Sequence, residues 1–204
     1  MLKKLTPDLR FILSVMALNR PPAVLQTPGA PVDFVAVTDR RYKLRHVKPN
    51  PVEGRPDACP VEPGTHTNPE RNFMWLPWVE GRISYIPLTN NIPIVTGLMS
   101  GCWLVVFRMN GQDCFGHIGT ELSPQHPNSL RAKNAWKVAV GSRKITPVKA
   151  FNPVEYGPGT MKTFGALSVH HTFYTIGCSV DGNTFQVVAK TRVPAPPLAP
   201  PQFF

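Results

Sequence analysis

Short apolar runs separated by glycine and proline dominate the chain. Its 24 prolines and 15 glycines disfavour a helical bundle and favour short strands joined by irregular loops. The runs with the length and apolar content of strands cover residues 32–37, 81–86, 102–109, 112–118, 145–151, 171–179 and 184–191. The pattern therefore predicts a protein built mainly of strands.

The dipeptide Asn110-Gly111 lies between two of these runs. It is a strong hairpin signal, because the favoured two-residue turn requires positive φ at both positions. Such a turn pairs Leu104 with His117 and Arg108 with Asp113. The second pair places opposite charges across from each other, which supports this register.

The first hairpin is apolar on both faces, and this determines the predicted fold class. A strand that is apolar on both sides is covered on both sides. We therefore expect an α+β protein, arranged as a two-layer β sandwich of mixed strands with a few outer helices. The last two runs are expected to form a second hairpin, turned by Asp181-Gly182 or by Gly182-Asn183.

Two segments carry the signals of a helix. Residues 6–19 begin with Thr6 as the N-cap residue and Pro7 at the first helical position, and a Pro-Pro pair follows them. The same segment has lysines ahead of an apolar run, which leaves a signal peptide as an alternative. Residues 128–140 are the second predicted helix, with Asn128 as its cap.

Length and composition indicate one main domain. The chain has 204 residues, which is enough to bury a core. Residues 1–192 are expected to form this domain, and residues 193–204 a proline-rich tail. The stretch between residues 41 and 72, which holds Cys59 and His66, is expected to be a long irregular loop.

A thiol and an imidazole share one face of the first hairpin. Cys102 lies two residues before Leu104, so it is the diagonal neighbour of His117, with Cα atoms roughly 7 to 8 Å apart in a regular sheet. A neutral thiol is a weak nucleophile, but a neighbouring imidazole can take its proton. The pattern therefore predicts nucleophilic catalysis on an acyl carbon, with Cys102 as the nucleophile and His117 as the base.

Residues around this pair complete the predicted site. Gly101 has no Cβ, so backbone N–H groups around Ser100 and Gly101 could hold an oxyanion. The third member of such a triad is usually an oxygen that orients the imidazole, and Thr96 is a candidate. The structural alternative is that Cys102 is a small buried hydrophobe and His117 a hydrogen-bonded core histidine.

At these residues the chain resembles a known family. The Trp-Leu-Pro-Trp block at 75–78, Thr96, the Met-Ser-Gly-Cys block at 99–102 and His117 are similar to the catalytic region of Burkholderia lethal factor. The Ser-Gly-Cys block with its downstream His also resembles the catalytic domain of the cytotoxic necrotizing factors. The similarity extends over residues 73–120, and Met99 replaces the family's usual Leu.

The resemblance implies a protein-glutamine deamidase: a bacterial toxin or effector, secreted or injected, that acts as a monomer in the target-cell cytosol. It implies catalytic roles for Cys102, His117 and Thr96, and no cofactor. Trp75 and Trp78 are expected to support the site from the core. The implied partner is a host protein that carries the substrate glutamine. A translation-initiation RNA helicase is favoured for it, and a Rho-family GTPase comes second.

Other functions remain open. A transglutaminase or a thiol protease uses the same thioester chemistry. A transglutaminase resolves the thioester with an amine instead of water, and a protease forms it from a backbone amide. The net charge of +10 fits a basic nucleic-acid-binding protein, although no motif of that class is present. Basic residues in and after the second predicted helix form either a solvated face or a docking site for an acidic partner: Arg131, Lys133, Lys137, Arg143 and Lys144.

Several other classes of site are disfavoured. The four cysteines lack dense spacing, and Cys114 is predicted to face away from Cys102, which indicates reduced thiols rather than disulfides. Adjacent His170-His171 cannot place both imidazoles on one strand face, and no metal-binding motif occurs, so no metal site is expected. No apolar stretch reaches transmembrane length.

Overall fold

A computed structural model describes residues 2–20, 29–37, 40–45, 58–64, 72–89, 91–156 and 161–194. These residues form a closed eight-stranded barrel and a five-stranded sheet. The α+β prediction is confirmed, but the simple two-layer sandwich is wrong, because the first of the two sheets closes on itself.

The barrel closes through its first strand, which pairs with the last strand on one side and with a parallel partner on the other. Phe11, Trp75, Phe164 and Phe185 fill its interior with neighbouring aromatic rings. In order around the barrel the strands are β1 (Arg10–Ile12), β13 (Thr184–Arg192), β12 (Phe173–Asp181), β11 (Lys162–Leu167), β7 (Ile94–Met99), β5 (Asn72–Trp75), β3 (Arg41–Leu44) and β4 (Cys59–Pro63).

The open sheet is covered on both faces, as its two-sided apolar pattern predicts. One face packs against helix α2 (Pro127–Gly141) through Trp136 and two alanines. The other face, with Leu104 and Phe115, packs against the barrel around Phe173. The strand order across this sheet is β10 (Ile145–Phe151), β8 (Trp103–Met109), β9 (Gln112–Ile118), β6 (Ile83–Pro87) and β2 (Phe34–Ala36).

Both predicted hairpins are confirmed. Asn110 and Gly111 have φ of 51° and 76°, and β8 pairs with β9 in the predicted register. Arg108 and Asp113 form the expected ion pair at 2.9 Å. Asp181 pairs with Thr184, so Gly182-Asn183 is the second turn. The predicted strands agree with the observed ones to within two residues at each end.

The helix predicted over residues 6–19 is wrong. The segment instead contains strand β1 and a one-turn helix α1 (Val15–Leu18), and a 3₁₀ turn at Leu2–Lys4 precedes it. Phe11 and Leu13 are buried while Ile12 between them is 44% exposed, which is the period of a strand. Pairing of β1 with both of its barrel neighbours therefore outweighs the local helix signals.

The loop predicted between residues 41 and 72 is wrong where the structure describes it, because β3 and β4 lie there. Cys59 begins β4, whereas His66 lies outside the described residues. Strands β5, β7 and β11 were also not predicted, since each belongs to the barrel and pairs with distant segments. A further 3₁₀ turn covers Pro153–Tyr156.

The second predicted helix is confirmed as α2, with one correction at its start. His126, not Asn128, is the N-cap residue, and its Nδ1 accepts a hydrogen bond from the Asn128 N–H. At the other end of the chain, Val193 is buried and its N–H donates to Phe173 O. The rest of the predicted tail, residues 195–204, lies outside the described residues.

Candidate active site

His117 and Thr96 meet across the interface between the sheet and the barrel. His117 lies in β9 of the sheet, and Thr96 lies in β7 of the barrel. Thr96 Oγ1 is 2.7 Å from His117 Nδ1, and both side chains are fully buried. The structure therefore brings together two of the residues that the sequence singled out, although they belong to different sheets.

A glycine permits this close approach. Gly165 of β11 is the strand partner of Thr96, and a Cβ at Gly165 would collide with the side chain of Leu104. Leu104 is the cross-strand partner of His117. Because Gly165 has no side chain, the barrel wall comes near enough to the sheet for the Thr96 hydroxyl to reach the imidazole.

Cys102 lies just before β8, two residues ahead of Leu104. Both side chains belong to the apolar cluster between sheet and barrel, so Cys102 is on the same face as His117. Its Sγ donates a hydrogen bond to Thr120 O at 3.2 Å. Among the described residues, His117 Nε2 has no hydrogen-bond partner. In this arrangement the thiol is held by a carbonyl, and the ring nitrogen that could take its proton stays unpaired.

Burial keeps both groups neutral at neutral pH. It raises the pKa of the Cys102 thiol, although hydrogen bonds from Thr120 and Ser100 act in the opposite direction. Burial also lowers the pKa of His117 to about 3. The structure therefore contains a neutral thiol and a neutral imidazole on one face of the hairpin rather than a thiolate–imidazolium pair.

Gly101 forms the less crowded side of the site. Its φ of 108° is a conformation that side chains disfavour, and, chain neighbours aside, no heavy atom of the described residues lies within 4 Å of the position that a Cβ would occupy. Ser100 beside it is exposed, whereas Cys102 is only 1% exposed. Space next to the buried thiol is therefore found at Gly101, where a substrate carboxamide could approach.

The Thr120 carbonyl organises the other side of the site. It accepts a hydrogen bond from Trp78 Nε1 at 3.2 Å as well as the one from Cys102 Sγ. The Thr120 hydroxyl donates to Gly101 O at 3.3 Å. Sequence reasoning did not single out Thr120, because a backbone carbonyl leaves no signature in residue type.

The two tryptophans differ in their relation to the site. Trp78 shares its acceptor with the thiol, so it touches the site directly. Trp75 is fully buried in β5, next to Phe164 in the barrel. Of these two tryptophans, Trp78 is therefore the one linked to Cys102 through a shared hydrogen-bond acceptor.

The other three cysteines lie apart from this site. Like Cys102, they are free thiols. Cys114 faces helix α2, on the side of the sheet opposite to Cys102, as predicted. Cys178 lies in the barrel core. Burial raises the pKa of Cys114 and of Cys178 to about 12 in each case. These two thiols therefore stay protonated at neutral pH.

Three further features of the part of the chain that the structure describes bear on its function. No group of three or more His, Cys, Asp and Glu side chains is placed there to hold a metal ion. None of the described helices is both long enough and apolar enough to cross a membrane. On α2, Arg131 is paired with Asp33 at 2.5 Å, while Lys137 is exposed to solvent.

Comparisons of the chain with known protein families, with curated proteins and with solved structures found no match.

Proposed function

We propose that this protein is a protein-glutamine deamidase that acts through a Cys-His thioester mechanism. The observation that carries the proposal is the buried hydrogen bond between Thr96 Oγ1 and His117 Nδ1, with Cys102 on the same face. A hydroxyl on Nδ1 orients the ring and leaves Nε2 as the nitrogen that can exchange a proton with a thiol. These observations support the roles of nucleophile for Cys102, base for His117 and orienting group for Thr96.

The first half of the proposed reaction forms a thioester. The Cys102 thiol turns from Thr120 O toward His117 Nε2, which takes its proton, and the thiolate attacks the carboxamide carbon of the substrate glutamine. Backbone N–H groups near Ser100 and Gly101 hold the oxyanion. The C–N bond then breaks, and His117 passes its proton to the departing amide nitrogen, which leaves as ammonia.

The second half hydrolyses the thioester. His117 Nε2, now neutral, takes a proton from water as the water oxygen attacks the acyl carbon. The C–S bond breaks, the thiolate takes the proton back from His117, and the carboxylic acid that is formed releases its proton to solvent as glutamate. A transglutaminase would use an amine in place of this water, and a protease would attack a backbone amide in the first half. The resemblance to the deamidase toxins favours a side-chain amide as the group attacked and water as the group that hydrolyses the thioester.

The same resemblance supports the proposed setting. The protein would be a bacterial toxin or effector that is secreted or injected and acts in the cytosol of a target cell as a monomer. A translation-initiation RNA helicase is the favoured target, and a Rho-family GTPase is the second candidate.

Incubation with a eukaryotic cytosolic extract, followed by mass spectrometry of peptides, tests the proposal. One glutamine of a specific protein should become glutamate, a gain of about one mass unit through the thioester route. Cys102→Ser should abolish this change while the fold is retained, because a hydroxyl has a far higher pKa than a thiol. Cys178→Ser, a change at another buried thiol, is the matched control and should retain the activity.

Each other outcome refutes the deamidase proposal. Cleaved peptides would identify a protease, and amine adducts would identify a transglutaminase. An unchanged extract together with retarded migration of labelled RNA would establish the basic-binding alternative. Full activity of Cys102→Ser would remove the nucleophile assignment.

A further inference from the structure

Asn19 joins two segments of the candidate site through three hydrogen bonds of its side chain. It is the C-cap residue of α1. Its Nδ2 donates to Gly97 O at 3.2 Å. Its Oδ1 accepts from Trp75 Nε1 at 3.0 Å and from the Trp78 N–H at 3.1 Å. One amide group thus connects β7 to the segment that follows β5.

The first connection leads to His117. Gly97 is the residue after Thr96, whose hydroxyl holds His117 Nδ1. A Cβ at Gly97 would collide with the ring of Phe164, so this part of β7 lies tightly against the barrel core. Fixing the Gly97 carbonyl therefore restricts the backbone that carries the Thr96 hydroxyl.

The second connection leads to Cys102. The N–H of Trp78 is held by Asn19, and the Trp78 indole N–H donates to Thr120 O. That carbonyl is also the acceptor for Cys102 Sγ. A shift of Trp78 would therefore move the acceptor that sets the position of the thiol.

Asn19 is itself held firmly. Arg40 Nη1 donates to Leu18 O at 2.7 Å, and Arg40 O accepts the Trp75 N–H at 2.9 Å. These bonds fix the end of α1 to β5 independently of the Asn19 side chain. An asparagine also suits the position chemically, because its amide supplies a donor and an acceptor in one plane, whereas an ionised aspartate only accepts.

We infer that Asn19 is a positioning residue that keeps Cys102 and His117 in register with each other. This inference rests on the proposed function, because it assigns Asn19 to the same thiol and imidazole. It predicts that loss of the Asn19 amide reduces the effect of His117 on the reactivity of Cys102. A loss of barrel stability alone would not have this effect.

Alkylation of Cys102 by iodoacetamide, followed by mass spectrometry, tests the inference without knowledge of the substrate. The rate is measured in wild type, Asn19→Ala, His117→Ala and the double variant. We expect Asn19→Ala to slow the alkylation of Cys102 about tenfold when His117 is present, because the change removes the three hydrogen bonds that hold the two segments. In the His117→Ala background the same change should have little effect, because no base remains to be positioned.

Two controls separate positioning from loss of fold. Alkylation of Cys178, which is buried in the barrel core, reports unfolding in every variant. Ile176→Val removes one methylene from the same core and should leave the Cys102 rate unchanged. If Cys178 is alkylated in the Asn19→Ala variant, which would show that this variant unfolds, the Asn19→Asp variant is used in its place. It keeps the acceptor for both tryptophans and loses the donor to Gly97, so a smaller slowing that still depends on His117 is expected.

The possible failures are distinguishable. If His117→Ala alone leaves the Cys102 rate unchanged, the thiol and imidazole do not cooperate and the proposed function fails. If His117→Ala slows alkylation but the Asn19 variants have equal effects with and without His117, the positioning role is overturned and the proposed function stands.

Discussion

Thr96→Val is the sharpest test of the hydrogen bond on which the candidate site depends. Valine has nearly the shape of threonine but replaces the hydroxyl with a methyl group. The change removes the 2.7 Å contact to His117 Nδ1 without opening a cavity. Since both side chains are fully buried, water cannot readily take the place of the hydroxyl. The imidazole would then lack a hydrogen-bond partner on Nδ1 as well as on Nε2.

The structure sets the size of the expected effect. Leaving one buried polar atom unpaired costs about 1–3 kcal/mol, and this is the expected loss in the free energy of unfolding. The imidazole also loses the partner that orients its ring, so a smaller fraction of molecules has Nε2 placed to take the thiol proton. If the full penalty fell on the reaction, the rate of glutamine conversion would fall by about tenfold for each 1.4 kcal/mol. We therefore expect a loss of about 10- to 100-fold, below the 10²- to 10⁴-fold that removal of the His117 base would cause.

Chemical denaturation measures the stability term, and peptide mass spectrometry of a target-cell extract measures the conversion rate. Thr96→Ser is the matched control, since it retains the hydroxyl and loses only a methyl group, worth about 1 kcal/mol of burial. It should keep most of the activity despite some loss of stability. Equal activity of Thr96→Val and wild type would refute the reasoning, as would equal losses in Thr96→Val and Thr96→Ser.

The remaining predictions concern the hairpin and the buried imidazole. Replacing Asn110-Gly111 by Ala-Ala should lower stability by about 1–2 kcal/mol for each position, because both residues have positive φ, and should reduce activity by moving His117 relative to Cys102. An unchanged melting temperature and unchanged activity would contradict it. The pKa of His117 is lowered to about 3 from an unfolded value near 6.5, so the unfolded chain binds a proton that the folded protein excludes between these values. Stability should therefore be unaffected by this group above pH 6.5 and should fall by up to about 1.4 kcal/mol for each pH unit between pH 6.5 and about 3. Denaturation measured against pH should show that this contribution is absent in His117→Asn.

The part of the site that could be predicted from sequence is the part that local rules determine. The Asn110-Gly111 turn fixes which residues pair in the hairpin, and the alternation of side chains then places Cys102 on the face of His117. Both steps involve neighbours in sequence, so neither required knowledge of the rest of the fold. Thr96 could be named as a candidate, but the short stretch around it does not reveal that it lies in a barrel opposite the hairpin.

The incorrect predictions concern pairings between distant segments. The helix signals of residues 6–19 are genuine, yet Phe11 lies beside Phe185, and that pairing determines the local structure. Strands β3 and β4 were interpreted as loop for the same reason, since their partners and not their composition make them strands. Asn19 could not be recognised because its three partners come together only in the folded barrel.

Barrel closure has a consequence for how the protein reaches its working state. The hairpin that carries Cys102 and His117 joins adjacent segments, whereas β1 must find β13 near the opposite end of the chain. Contacts between distant segments form slowly, because a large loop must be closed before they contribute. We therefore expect the hairpin that carries the thiol and the imidazole to form early in refolding, and Thr96 to reach its position only when the barrel assembles. Secondary-structure signals should therefore recover before any activity does, and a partly folded chain would contain Cys102 and His117 without the Thr96 hydroxyl that orients the imidazole.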